Sequence, residues 1–186
     1  MKATVTSITA VGRSKTGARL KAVAGIYNSS GTITSAGTFR SGRGIDNSSG
    51  TITNAGTFQS GGDIDNSSGT ITNAGTFRSG GDVDNSRGTI TSSGLFASGG
   101  DINSSSGVIQ NSGTFITGDI DTEGGEIENT GIFHVDGNIT GVDGNFRQTK
   151  GTIILEGDMD LNTIRIEGGT VEVKRGLSQS RPQPRV

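Results

Sequence analysis

The 186-residue chain has no cysteine, which excludes a disulfide framework and any thiolate metal site. Tryptophan is also missing, and seven phenylalanines and one tyrosine leave little from which to build stacking platforms for sugars or bases. Histidine occurs once, as His134, with no cysteine partner and no nucleophile elbow, so the common catalytic constellations have no material. No apolar run approaches the length needed to span a membrane. Hydrophobic residues make up only 28% of the chain, a poverty that on composition alone points to disorder. Glycine, by contrast, is abundant at 33 residues, each with an entropic cost on folding.

Order shows instead as repetition. Asp46 to Gly81 reads DNSSGTITNAGTFQSGGDIDNSSGTITNAGTFRSGG, one unit written twice, with Gln59 and Arg78 at matched positions the visible difference. Within it Ile52, Phe58 and Ile64, then Ile71, Phe77 and Val83, stand alone among polar or tiny neighbours. Neighbours within each set are about six residues apart, and the unit recurs about every nineteen. A helical stripe needs partners at i+3, i+4 and i+7, so this spacing excludes one. It predicts short strands, TIT, TFR and DID, whose middle side chain points inward and whose outer two point out. SAG, NAG, SGG and NSSG between them are turn chemistry. Three strands and three corners make one coil of a triangular parallel β-helix, an all-β solenoid whose coils pair about 4.8 Å apart.

The register extends both ways. The TIT slot holds Ile33, Ile52, Ile71, Ile90, Ile109 and Ile127; the second runs from Leu20 through Phe39 to Phe133; the third runs from Ile26 to Ile139. One residue is lost between Phe115 and Ile120. Phe146, Ile153 and Met159 then fill the slots in order, and Ile166 and Val173 begin an incomplete last turn. The total is about eight coils of ~19 residues, hence a body roughly 40 Å long. Residues 1–17 read as a basic N-terminal arm or capping strand, 18–175 as the solenoid, and 176–186 as a disordered basic tail containing Pro182 and Pro184.

Net charge is −2, yet it is unevenly placed. Lys2, Arg13, Lys15, Arg19 and Lys21 stand without an acid before residue 27, and Lys174, Arg175, Arg181 and Arg185 without one at the other end. Basic ends around an acidic shaft favour contact between molecules, or a polyanion held at one end. MKATVTSITAVGRSK is a poor secretion signal, so cytoplasmic assembly or non-classical export is expected, with the cell surface as the alternative.

Two surface arrays stand out. Thr32/Thr34, Thr51/Thr53, Thr70/Thr72 and Thr89/Thr91 form two parallel columns on one face, about 4.8 Å apart between coils and about 7 Å along a strand. The lattice resembles the ice-binding face of insect antifreeze solenoids, although threonine also simply suits exposed strand positions. Asp63/Asp65, Asp82/Asp84 and Asp119/Asp121 flank the third slot, with Asp46, Asp101, Asp158 and Asp160 in matching places. A Ca²⁺ ion could relieve their repulsion, but water screens an exposed edge equally well and the Gly-rich Ca²⁺ nonapeptide is missing. No metal or other cofactor is therefore expected. Glu126, Glu128 and Asp136 are conceivable polysaccharide-cleaving acids, but no long loop builds a cleft around them. No phosphate loop or aromatic-basic patch suggests specific nucleic-acid recognition.

The run DNSSGTITNAGTF resembles the nineteen-residue repeats of filamentous haemagglutinin-type adhesins, over about Asn28 to Gly118. That resemblance implies a right-handed triangular β-helix serving as a bacterial surface stalk or adhesin. In size and layout the chain is also similar to bactofilins, which polymerise end to end without nucleotide. The expectation is a non-enzymatic structural protein whose partner is itself, an axial homopolymer; an adhesin stalk module and an ice binder are the alternatives. A solenoid leaves an unpaired row of backbone donors and acceptors at each end. Ile164, Ile166, Val171 and Val173 at one end, with Val5 and Ile8 at the other, are the expected self-association residues. The sides, read as Thr, Ser, Asn, Asp and Gly, offer no apolar surface for lateral contact.

Overall fold

The computed structural model describes residues 2–5, 8–9, 13–16 and 19–174, with side chains from Arg19 onward. Every regular element among them is a β-strand. Strands recur in threes, as in Thr32–Ser35, Thr38–Ser41 and Ile45–Asp46, because each isolated apolar residue is followed within four residues by a glycine-bearing corner. Each strand pairs in parallel with its counterpart one repeat away: Ile52 with Ile71, Phe58 with Phe77, Ile64 with Val83. The short coil keeps this register, Ile102 pairing with Ile120. The result is an all-β parallel solenoid of about eight turns with ~19-residue spacing.

The phenylalanine strands form one ten-stranded sheet running from Lys2–Val5 to Thr170–Val173. The other two ladders, of the TIT strands and of the Asp-bearing strands, are joined into a 16-stranded sheet by the ten-residue strand Ile139–Gln148. Pairing of Lys2 with Arg19, Ile8 with Ile26 and Arg13 with Thr32 carries the ladder back into the segment read as an arm or capping strand. The segment read as a tail, 176–186, lies outside the described residues.

Three apolar columns make the core. Phe39, Phe58, Phe77, Phe96, Phe115 and Phe133 are all fully buried, and successive rings stack 4.6 to 5.0 Å apart within 8° of parallel. Phe146 comes from the neighbouring TIT ladder and meets Phe133 edge-on, at 6.0 Å and 70°. Strand pairing at one spacing per coil leaves a planar side chain no alternative to stacking on its copy above and below.

The structure corrects three expectations. Strands of the TIT face have four residues, not three, and the fourth also points inward: Ser35, Asn54, Asn73, Ser92, Asn111 and Asn129 are buried beside the isoleucines. What reads as turn chemistry is thus part of the interior. In the last turn, Phe146 pairs with Ile164 and Ile153 with Val171, so these two hold the slots; Ile166 and Val173 lie two residues on, beside Gln148 and Leu155. Finally, the sides are not uniformly polar. On the phenylalanine face one outward flank of each strand from Leu95 to Ile154 is a large apolar residue, Leu95, Ile116, Ile132 and Ile154 in turn, while Thr114, His134 and Thr152 keep the other flank polar. The residues flanking each buried ring point outward, and here one of the two flanks has changed from Thr, Gln or Arg to a large aliphatic side chain.

Buried polar groups at two corners are satisfied by repeating the same bond, except that Asn28 Oδ1 on the first rung has no partner among the described residues. Asn28 Nδ2 donates to Asn47 Oδ1 at 2.6 Å, Asn47 to Asn66 at 2.6 Å, and Asn66 to Asn85 at 2.7 Å. A second ladder runs from Asn54 to Asn73 at 2.8 Å, and from Asn111 to Asn129 at 2.9 Å. All these bonds point the same way along the axis. The second amide hydrogen goes to a backbone carbonyl, as from Asn47 to Gly50 at 3.2 Å, so each buried NH₂ is used twice.

Candidate functional site

Among the described residues no enclosed cleft dominates, and the candidate sites are the ends and the outer faces of the solenoid. At the C-terminal end the core is open. Ile153, Leu155, Met159, Ile164, Ile166, Val171 and Val173 line a hollow of about 100 Å³. Ile164, Ile166 and Val171 are 46%, 43% and 45% exposed, whereas their equivalents in the preceding coils are buried. The reason is topological: Thr170–Val173 ends its sheet, and nothing among the described residues pairs with its outer edge. The structure therefore brings together the four apolar residues expected at this end. At the other end, Val5 pairs with Ala22 and Ile8 continues the Ile26 column by backbone register.

The threonine array is in register. Thr32, Thr51, Thr70 and Thr89 pair in one column and Thr34, Thr53, Thr72 and Thr91 in the next. Backbone pairing keeps the columns straight over four coils, and they stop at Val108 and Gln110.

The aspartates have structural work. The first acid of each pair accepts the backbone N–H of its counterpart one coil on: Asp63 from Asp82 at 3.0 Å, Asp82 from Asp101 at 2.9 Å, Asp101 from Asp119 at 2.8 Å. The second closes the next corner, Asp65 accepting from Ser67 N at 2.9 Å and Asp84 from Ser86 N at 2.9 Å. Carboxylates that serve as backbone acceptors explain why acids recur here, and the described residues contain no group of three or more His, Cys, Asp or Glu able to hold a metal.

Glu126 and Glu128 lie on the TIT face and Asp136 follows a strand of the phenylalanine face, so the structure does not assemble them. Glu128 is engaged by Arg147 at 2.9 Å. His134 Nε2 lies 3.2 Å from Asp136 Oδ1 and 3.6 Å from Glu156 Oε1, without hydrogen-bond alignment. Lys174 Nζ sits 2.6 Å from the same Glu156 oxygen and, chiefly through that hydrogen bond, holds the Glu156 carboxyl below its usual range; Glu156 in turn raises Lys174.

A family model described as haemagglutinin repeat matches residues 4–87, 86–131 and 123–173, nearly the whole solenoid. The chain belongs to the haemagglutinin-repeat family. No curated protein and no solved structure matches it. Membership makes the molecule an adhesin-like repeat protein on a structural fold that is not typically enzymatic. The matched residues span both repetitive and diverged coils, including the Glu126 and Ile132 strands.

One feature of this haemagglutinin-repeat solenoid escaped the reading of its sequence. Leu95, Ile116, Ile132 and Ile154 face outward on the phenylalanine sheet, and Ile132 is 45% exposed. The available signal was the apolar residue adjoining a slot phenylalanine, as in LFA, TFI and IFH, since successive strand residues face opposite ways.

Proposed function

We propose that this chain is a non-enzymatic structural protein that assembles end to end through its open solenoid ends. The observation that carries this reading is the apolar C-terminal end, where three large side chains in core register lie exposed beside an unpaired strand edge. Both features favour continuation by another coil: the edge offers a row of backbone donors and acceptors, and the hollow offers apolar surface to bury. Continuing the ten-stranded sheet would set Val171 beside Ala3 and Val173 beside Val5 of the next copy. Ile8 would bring the Ile26 column to the same junction.

The test is to replace Val171 and Val173 with lysine and follow size by light scattering and electron microscopy. Wild-type protein is expected to form filaments whose length grows with concentration, and the double variant to remain short. Compact monomers of wild type at high concentration, or filaments indifferent to the substitutions, would overturn the axial assembly. Family membership supports a second reading, an adhesin or stalk module presenting this solenoid as a rigid spacer. The threonine lattice supports ice binding as a third, removed if thermal hysteresis is absent or unchanged by Thr53→Lys and Thr72→Lys.

A further inference from the structure

The phenylalanine face divides into two halves of different chemistry. In the early coils its outward column carries Lys21, Arg40 and Arg78, all with exposed or solvent-facing side chains. In the later coils the same face carries a run of aliphatic side chains, Leu95, Ile116, Ile132 and Ile154, set among Thr114, His134 and Thr152, and beyond that run comes Glu172. Along the sheet the strands bearing Arg78, Ala97, Ile116, His134, Ile154 and Glu172 follow one another without a gap. An arginine thus closes the patch on one side and a glutamate on the other, each two strands beyond the central pair. Neither Arg78 nor Glu172 has an ion-pair partner among the described residues, while Glu128, Glu156 and Glu167 are each held by a base.

That order is self-complementary. We infer that the phenylalanine face pairs with the same face of a second copy, the two solenoid axes antiparallel. The two-fold axis lies along the strands, between Thr114–Thr117 and Ile132–Val135. It puts Ile116 opposite His134 of the partner and Ala97 opposite Ile154 of the partner. Arg78 then meets Glu172 of the partner at one rim, and symmetry repeats the ion pair at the other. The parallel alternative, with the axis along the solenoid, sets Lys21 and Arg40 of each chain beside Arg19 and Thr38 of the other and gathers their positive charge in one place. Charge therefore selects the antiparallel arrangement, in which these basic coils overhang the partner.

The contact spans six strands, about 25 Å at one spacing per step. A strip one strand wide covers less than the ~800 Å² per partner of a standard interface. On its own it makes a dimer that forms at high protein concentration, and repetition strengthens it wherever axial contacts hold many copies in line. It uses a side of the solenoid, whereas the proposed axial assembly uses the ends, so each stands without the other.

The deciding experiment uses full-length chain carrying Ile166→Lys, which blocks the axial end, studied by sedimentation velocity and small-angle scattering. A concentration-dependent dimer with enlarged cross-section is expected. Ile132→Thr, which installs the residue that adjoining coils carry at that position as Thr114 and Thr152, should abolish it without harm to the fold. Arg78→Glu or Glu172→Arg alone should weaken it about tenfold, and the two together should restore it. A monomer at all concentrations, a dimer indifferent to Ile132→Thr, or a double charge swap no better than the single changes would overturn lateral pairing. Axial failure reads differently: it alters length at constant cross-section.

Discussion

At the scale of single residues, stability rests on repeated identical contacts. Phe77 stacks at 4.7 Å on Phe58 and 5.0 Å on Phe96, so Phe77→Ala removes both contacts and leaves a cavity that the ladder cannot collapse to fill. A loss of about 3–5 kcal/mol is expected in denaturant titration. Asn66 is a different case. It is fully buried, accepts from Asn47 and donates to Asn85, so Asn66→Leu leaves a neighbour's amide unpaired on each side. The expected cost is about 1–3 kcal/mol, despite the added apolar volume. Glu156 shows the sign of the pH effect. Its carboxyl is lowered in the folded state, so the Lys174 contact stabilises above the ordinary carboxylate range and is lost as pH falls through the lowered value. Lys174, being raised, keeps its share at neutral pH and loses it only as pH rises through its raised value. Glu156→Gln should therefore lower the melting temperature slightly at pH 7, with the difference vanishing in strong acid; exposure to solvent keeps it small.

At the scale of strands and corners, close stacking sets the limits. A Cβ on Gly75 would collide with the Gly56 carbonyl oxygen and crowd Ala55, both backbone and both fixed by the ladder. Gly75→Ala should cost about 1–3 kcal/mol, measured as a shift in denaturation midpoint. At Gly25 the nearest atom is the Gly44 oxygen at 3.3 Å, so Gly25→Ala should be milder. The strands themselves were legible from sequence because one large apolar residue per strand, recurring at a fixed interval, admits a single register. Ile33, Phe39 and Ile45 could be placed without knowing anything of their neighbours. The corners were less legible. Asn54 and Asn47 belong to types that favour turns, and only pairing at one spacing per coil shows that their amides face one another inside. The C-terminal residues Ile164 and Val171 could be read as an open end because the apolar alternation runs on to the last strand. Ile116 and Ile132 were hidden by the phenylalanines beside them, which account for the apolar signal on their own.

At the scale of the whole molecule, charge is polarised along the axis, and axial assembly would feel it. Arg13, Lys15, Arg19 and Lys21 belong to the first coils, while Glu156, Asp158, Asp160, Glu167 and Glu172 belong to the last. Stacking one copy on the next therefore joins a basic end to an acidic one at every junction. Among these acids Glu156 and Glu167 are already held by Lys174, Arg147 and Arg165, which leaves Asp158 and Asp160 to attract the incoming end. Such attraction between exposed groups acts over roughly 10 Å at 0.1 M salt and about 3 Å at 1 M. The ladder and apolar contacts of the junction do not share that dependence. Filament growth followed by light scattering should thus slow as salt rises, while filaments already formed persist. Asp158→Asn with Asp160→Asn should slow growth at low salt and flatten its salt response, because both residues are exposed at the Asp-bearing corner and neither carboxylate accepts a hydrogen bond among the described residues. Growth that quickens with salt in wild type would mean that like charges, not opposite ones, meet at the junction, and would reverse the assignment of which end meets which.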